Sequence, residues 1–479
     1  MSDAVKETPA ASRPGATRIE RDSLGPLEVP ADAYYGVQTA RAVANFPISG
    51  ERLHPEMVRA VTTIKLAAAR ANAELGVLDT KKAEAIALAA REVLEGRLAD
   101  QFVVDAYQAG AGTSFHMNVN EVLANRACEI LGGARGDQKL VNPNDHVNMA
   151  QSTNDVIPTA MRIAAYSLSG PLVEELDLLA QSLDRKAKEF ARVLKSGRTH
   201  LQDAVPVTLG QEFSGYRDCV AGWAASLRKS RDGLLALGLG GNAAGTGINA
   251  HPKYRETVVA TIAEITGSAY RSSPNLFEAM QSMAPFVRVS NDLRGFALDL
   301  TRIANDFRLL ASGPTTGFDE VVLPAVQPGS SIMPGKVNPV IAEMTNMVCY
   351  QVLGYDTTVA YAAQAGQLEL NVMMPVLAHN LLRSIALFTP TLRVLRTTCV
   401  DGITANEDVC RRYFDRSISL ATALNPFVGY ARAAEVAKES AKTGKTVIEI
   451  VREQKLLTEE QIAQVFSPEN MTHSEGGQP

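Results

Sequence analysis

The sequence predicts an all-α chain. An elongated bundle of long helices is expected over about residues 151–403, a mostly helical domain before it at 1–150, and a small helical domain after it at 404–479. Three observations carry this. Phe286, Val289, Leu293, Phe296, Leu300, Ile303, Phe307 and Leu310 are separated alternately by three and four residues, which places them on one helix face. At about 1.5 Å per residue this seam runs roughly 36 Å, so it needs partners of similar length. Such partners are present: Leu172, Leu176, Leu179, Leu183, Phe190 and Val193 form one stripe, Phe213, Tyr216, Val220, Trp223, Leu227 and Leu234 another, and residues 340–362 and 375–400 a further pair. No β-α-β alternation occurs.

Between the helical runs lie connectors rich in Gly, Pro and Asn at 197–206, 238–252 and 313–339, read as irregular links. After Asn406 the apolar pattern shortens, with turn signals at Asn425-Pro426 and Thr443-Gly444. The first 18 or so residues and the tail from Ser474 to Pro479 are polar and rich in Pro and Gly, so frayed ends are expected. Long bundles with polar connectors leave apolar stripes to cover, and a homo-oligomer follows from that.

Composition narrows the function classes. With 479 residues, 46% hydrophobic and 21% charged, the chain can bury a large core and is not a low-complexity protein. A net charge of −5 offers no global field for nucleic acid or an anionic membrane. Cys128, Cys219, Cys349, Cys399 and Cys410 are odd in number and in no CxxC spacing, which argues against a disulfide framework and a cysteine-rich zinc site and fits a reducing cytoplasm. The N-terminal stretch has no apolar core of a signal peptide, and no run approaches the roughly 18 apolar residues of a membrane span.

Four polar clusters stand out. Gly329-Ser330-Ser331-Ile332-Met333-Pro334-Gly335-Lys336-Val337-Asn338-Pro339 is not a phosphate-binding loop, because Pro334 and Val337 occupy positions where that motif needs Gly and Ser/Thr. A mobile structural loop is one reading that remains; the other is a mobile donor set for carboxylates, made of two serines, a lysine and an asparagine on a glycine-rich backbone. A serine acts as a base only when donors stabilise its alkoxide, and backbone N–H groups with Lys336 can do so. Gln151-Ser152-Thr153-Asn154-Asp155 precedes a helical run from Pro158 and reads as a cap, yet it holds more hydroxyl and amide groups than one cap requires. Gly110-Ala111-Gly112-Thr113-Ser114 alone would be a turn. Gly197-Arg198-Thr199-His200-Leu201-Gln202-Asp203 carries a histidine whose weight comes from its company. Gly238 to Ala243 loosely matches a dinucleotide fingerprint but follows a helical segment, so a tight connection is expected there. The histidines show no HExxH or paired metal spacing, and no metal site is expected.

Together these clusters resemble the fumarase/aspartase superfamily, whose signature GSSIMPGKVNP is read at 329–339 without a mismatch. The resemblance runs from Val29-Pro30-Ala31-Asp32-Ala33-Tyr34-Tyr35-Gly36 through 118–125 and 197–206 to Ile403-Thr404-Ala405-Asn406. Within the superfamily, GAGTS at 110–114, STND at 152–155, Asn142 three residues before Asp145, and Gln364-Ala365-Gly366-Gln367-Leu368 look like the aspartate ammonia-lyases rather than the class II fumarases. Asn118-Val119-Asn120-Glu121 and Gly240-Gly241 look fumarase-like. Met374 stands where the two groups usually carry Glu or Lys, and Thr315-Thr316 replaces an arginine-containing pair.

The resemblance implies a three-domain, fumarase/aspartase-like fold and reversible loss of ammonia from L-aspartate to give fumarate. Ser330 would take the Cβ proton, with His200 and Lys336 as the other catalytic groups. Thr113, Ser152, Thr153 and Ser331 would hold the side-chain carboxylate as it becomes an enediolate. Lys336, Asn338 and Thr199 would hold the α-carboxylate, Asn154 and His200 would stand by the leaving amino group, and Glu343 would pair with His200. It also implies a homotetramer with sites shared between subunits. No cofactor is required, since the substrate carries its own leaving group and electron sink; magnesium activation is left open. The alternatives are a fumarate hydratase using the same base, an aspartase-like lyase with shifted amino-acid preference, and a scaffold kept as a structural protein.

Overall fold

A computed structural model describes residues 15–472. In chain order the first elements are strands β1 (Thr17–Asp22) and β2 (Gly25–Pro30) and helices α1 (Val37–Asn45), α2 (Pro55–Glu74), α3 (Thr80–Leu94), α4 (Thr113–Ile130) and α5 (Thr153–Glu189). There follow β3 (Leu194–Thr199), β4 (Gln202–Thr208), α6 (Leu209–Asp232), β5 (Ala236–Leu237), α7 (Tyr254–Thr266), β6 (Arg271–Ser272), α8 (Leu276–Gln281), α9 (Ala284–Leu310) and β7 (Val321–Val322). The chain ends with α10 (Val340–Gln364), α11 (Met374–Thr398), β8 (Thr404–Ala405), α12 (Glu407–Arg416), α13 (Asn425–Thr443), α14 (Val447–Glu453), α15 (Glu459–Val465) and α16 (Pro468–Thr472). The helical seams are thus found as helices of 24 to 37 residues, with Phe190, Val193 and Leu234 just beyond the helix ends. No described helix is long and apolar enough to cross a membrane.

Three expectations need correction. Thr17 and Arg18 are not frayed: they begin β1, and the Arg18 guanidinium donates to the carbonyls of Pro30, Ala33 and Tyr35 at 2.7–2.8 Å. Residues 1–14 and the tail from Ser474 lie outside the described residues. The link at 197–206 is a β-hairpin, not an irregular segment. The glycine-rich stretch from Gly238 follows the two-residue strand β5, which pairs in parallel with β6.

The chain forms two compact units whose boundaries fall inside α5, α6, α9, α10 and α11. One unit comprises Met1–Gly170, Lys229–Asn291 and Gly354–Ala386. Alanines on α2 and α3 (Ala67, Ala68, Ala71, Ala89 and Ala90) are buried and let the helices approach closely around Ile64 and Ile86. Helix α4 is buried along nearly its whole length, so its polar side chains need internal partners. Glu121 finds them at the start of α1, where its carboxylate accepts the N–H groups of Gly36, Gln38 and Thr39 at 2.9–3.0 Å. A Cβ on Gly36 would lie 2.4 Å from a Glu20 oxygen and 2.9 Å from a Glu121 oxygen, so a side chain there would push both carboxylates off their backbone N–H partners. Asn125 completes the junction by donating to the Tyr34 carbonyl at 2.8 Å. The two motifs at 29–36 and 118–125 are therefore halves of one contact.

The other unit comprises Pro171–Arg228, Asp292–Leu353 and Leu387–Pro479. Phe190, Phe213, Tyr216 and Phe307 pack ring to ring at 5.2–5.7 Å. A second core joins Leu194 to Phe414, Leu420, Leu424, Val436, Ile450 and Val451 of the C-terminal helices. Between these lies a buried ion network. Lys195 reaches Glu212 at 2.7 Å and Glu320 at 2.8 Å, and Arg198 reaches Glu320 at 2.9 Å. Leaving any one of these charges alone would be costly, which fixes the hairpin β3–β4 in place.

In the first unit one carboxylate plays a similar part. Asp155, fully buried in the first turn of α5, accepts the N–H of Ser152 at 2.9 Å and those of Gly240 and Asn242 at 3.0 and 2.8 Å. The glycine-rich loop is thus an anion-binding backbone for an internal carboxylate. Burial pushes this carboxyl up to about 6, against the pull of those three donors and of the Lys65 charge. In the unfolded chain the group loses its proton near 3.9. Its contribution to stability is therefore greatest below about pH 4, declines as pH rises to about 6 and is constant above. Asp155→Asn should abolish that part of the slope in a plot of unfolding free energy against pH. It should also cost about 1–3 kcal/mol, since an amide NH₂ cannot accept from the loop.

Candidate active site

The eleven candidate residues divide between the units, with Thr113, Ser152, Thr153 and Asn154 in the first and Thr199, His200, Ser330, Ser331, Lys336, Asn338 and Glu343 in the second.

In the first, two helix N-termini meet. Gly112 stands at φ 84°, a backbone conformation that side chains rarely adopt, and a Cβ there would press on Ile157 at 3.2 Å. Thr113 follows as the first residue of α4 and is exposed. Thr153 is the first residue of α5, and its Oγ1 lies 2.7 Å from Nδ1 of His116 on α4, which ties the helices together. Ser152 does cap α5: its Oγ accepts the Asn154 N–H at 3.2 Å while Asp155 accepts the Ser152 N–H. Its own O–H hydrogen is left to donate outward. Asn154 gives Nδ2 to the Ala243 carbonyl at 2.8 Å, so its Oδ1 is the end available to a donor. The result is a cradle of hydroxyls at the positive ends of two helix dipoles, suited to an anion, with one acceptor beside it.

Behind the cradle stand residues that sequence reading missed. Lys65, fully buried on α2, places Nζ 2.6 Å from His116 Nε2, 2.8 Å from Asn148 Oδ1 and 2.9 Å from Gln151 Oε1. A signal existed: Lys65 interrupts an otherwise apolar and small-residue stretch of α2, and His116 falls one turn after Thr113 on a buried helix. Asn142, one of the positions that look like those of the aspartate ammonia-lyases, caps the π-helical turn Pro143–Val147 by accepting the N–H groups of Asn144 and Asp145. Met374, flagged as a departure, is fully buried and so fills core.

In the second unit the hairpin and the glycine-rich loop carry the candidates. Thr199 pairs with Gln202, and between them His200 and Leu201 both have positive φ, 55° and 58°. Two left-handed residues make the tight turn that a two-residue hairpin needs, but neither is the usual Asn or Gly, so the tip is held against its preference by the Lys195–Glu320–Arg198 network. This turn was missed because Thr-His-Leu-Gln carries no turn signal. The loop at 329–339 is closed on itself by Gly329 N–H to the Lys336 carbonyl at 2.8 Å and Asn338 Nδ2 to the Gly329 carbonyl at 2.5 Å. A Cβ on Gly329 would sit 2.3 Å from that Lys336 oxygen, so the closure requires glycine. Within it Ser330 Oγ accepts two backbone N–H groups, from Ile332 at 3.2 Å and Met333 at 3.0 Å. Ser331 and Lys336 are exposed, while Asn338 and Glu343 are half-buried. Within one chain, among the described residues, Glu343 and His200 form no ion pair with each other, and no hydrogen bond joins the hairpin tip to the loop. No group of three or more His, Cys, Asp or Glu among the described residues is placed to hold a metal ion.

Comparison with known proteins places the chain. A lyase family model matches residues 25–354, and a model of the fumarase C C-terminus matches 420–473. An aspartate ammonia-lyase of a Bacillus species is 48% identical over 95% of this chain and 97% of its own length. Those of Pseudomonas aeruginosa and Escherichia coli K12 are 49% and 47% identical over 95% of this chain, covering 97% and 96% of the relative. Among solved structures, a fumarate lyase:delta crystallin from Brucella melitensis bound to cobalt is 48% identical and superposes at a TM-score of 0.92, covering 96% of this chain and all of that one. A class II fumarase from Schistosoma mansoni is 38% identical with a TM-score of 0.91 over 95% of this chain and 98% of that one. The chain therefore belongs to the fumarase/aspartase superfamily of lyases.

Proposed function

We infer that the protein is an aspartate ammonia-lyase, a carbon–nitrogen lyase that removes ammonia from L-aspartate to give fumarate, and adds it back. The near full-length likeness to aspartate ammonia-lyases from three bacteria carries this reading. The chemistry of the candidate residues supports it. The obstacle is a Cβ proton made only weakly acidic by the neighbouring carboxylate. Removing it creates a doubly charged enediolate, which must be met by donors already in place.

Thr113, Ser152 and Thr153 lie at helix N-termini and suit that carboxylate as its charge grows, with Ser331 of the loop as a fourth donor. Asn154 offers its carbonyl oxygen to the α-ammonium group, and His200 attends the same group as it leaves. Lys336, Asn338 and Thr199 suit the α-carboxylate. Ser330 is the base: the two N–H groups on its Oγ favour the alkoxide over the alcohol, and Lys336 adds charge from the same loop. Glu343 supports His200.

Active sites are shared in a homotetramer. His200, Ser331 and Lys336 are exposed on the single chain, and so are Met347, Tyr350 and Tyr361 along α10, an apolar set that a second copy would cover. The reaction needs no organic cofactor.

Three outcomes are expected. Absorbance of fumarate near 240 nm should grow with L-aspartate and stay flat with L-malate; the reverse would make the protein a fumarase. Ser330→Ala should keep its fold by circular dichroism and lose about 10²–10⁴-fold in kcat, whereas near-full turnover would remove Ser330 as the base. Sedimentation should give a particle of four chains, and an active monomer would refute shared sites.

A further inference from the structure

Thr153 can serve an anionic carboxylate only if its hydroxyl hydrogen points outward, and nothing in the hydroxyl itself decides that. What decides it lies behind. His116 Nδ1 is 2.7 Å from Thr153 Oγ1, and His116 Nε2 is 2.6 Å from Lys65 Nζ. The ring is buried, and burial together with the Lys65 charge holds it well below the usual histidine range, so it is neutral and has one N–H and one bare nitrogen. One end therefore donates and the other accepts.

The orientation follows from Lys65. Asn148 and Gln151 both turn their oxygens to Nζ, because their NH₂ groups are engaged elsewhere: Asn148 Nδ2 with the Gln151 carbonyl at 3.3 Å, and Gln151 Nε2 with the carbonyls of Val147 and Met149 at 3.2 and 3.1 Å. With His116 Nε2 these make three acceptors around one nitrogen, matching the three N–H bonds of an ammonium group. Burial pulls that ammonium well below the ordinary lysine range and the Asp155 carboxylate pulls part of the way back; the geometry, three converging acceptors, favours the charged form.

We propose that Lys65 and His116 are positioning residues that set the direction of a buried hydrogen-bond chain: Lys65 donates to His116 Nε2, His116 Nδ1–H donates to Thr153 Oγ1, and the Thr153 O–H is thereby committed to the substrate's carboxylate. A second consequence is polarisation. Each link draws electron density toward the ammonium group, so the Thr153 hydroxyl becomes a stronger donor when the enediolate forms. Removing the ammonium reverses the chain. His116 Nε2–H then donates to the oxygens of Asn148 and Gln151, Nδ1 becomes an acceptor, and Thr153 turns its hydrogen inward, leaving only lone pairs facing the anion.

The inference rests on the reading of Thr153 as a carboxylate ligand, and the two are separable by experiment. Solid-state ¹⁵N NMR of the assembled, [¹⁵N]histidine-labelled enzyme, with His116 assigned by comparison with His116→Gln, reads the tautomer directly. The wild type should show Nδ1–H and Lys65→Met should show Nε2–H, at unchanged assembly mass. With L-aspartate, Lys65→Met should raise KM or lower kcat/KM by about ten- to a hundred-fold, the effect of one lost bond to a charged group. Thr153→Val should do the same, and Lys65→Met should add little to Thr153→Val, whereas a purely structural role for Lys65 would add in full. An Nε2–H tautomer in the wild type, with Thr153→Val impaired, overturns the inference alone. Normal kinetics in Thr153→Val overturn the reading of Thr153, and the inference falls with it. If Lys65→Met fails to fold, the wild-type tautomer still decides.

Discussion

The contact between the buried Asp155 carboxylate and the N–H groups of Ser152, Gly240 and Asn242 is the constraint on which the cradle depends. It begins α5 at a fixed residue, so that Ser152, Thr153 and Asn154 emerge in succession at the helix N-terminus, and it binds the loop whose Ala243 carbonyl orients Asn154. A buried carboxylate is tolerated here because it has three donors and a buried ammonium nearby, and the ammonium of Lys65 is tolerated for the converse reason. Neither group faces the substrate in this account. Together they let neutral hydroxyls, rather than a fixed positive side chain, receive a charge that exists only during the reaction.

The second unit solves a different problem with the same means. A hairpin tip with two left-handed residues and a loop of glycines and prolines are unstable shapes for a chain to adopt. Each is closed by something rigid: the Lys195–Glu320–Arg198 network under the hairpin, and the Gly329–Lys336 and Asn338–Gly329 hydrogen bonds across the neck of the loop. Within the loop, the two N–H groups on Ser330 Oγ form a small anion site around an atom that has to bear negative charge to act as a base. Ser331, Lys336 and His200 are exposed on one chain, where the proposed sharing of sites would bring other copies to them.

Much of the fold was legible because long helices write their burial into the chain every three or four residues. The seam from Phe286 to Leu310 became α9, and 340–362 and 375–400 became α10 and α11 to within a few residues. The hairpin at 194–208 was not legible, since its turn residues are ones that resist the turn and are held there by partners more than 100 positions away. The same distinction applies to the site. Ser330, Thr113 and Ser152 stand in clusters that can be recognised, and the glycines beside them have local reasons. Lys65 and His116 are each one of several polar residues in a buried helix, 51 positions apart, and only the packing of α2 beside α4 shows that they share a hydrogen bond.

The central claim is that the cradle at the start of α4 and α5 holds the substrate's side-chain carboxylate. A crystal structure of the Ser330→Ala enzyme with L-aspartate bound tests it most directly. The account predicts that carboxylate within hydrogen-bonding distance of the hydroxyls of Thr113, Ser152 and Thr153, with the ammonium group against Asn154 Oδ1. An aspartate whose side-chain carboxylate lies away from all three hydroxyls would contradict it.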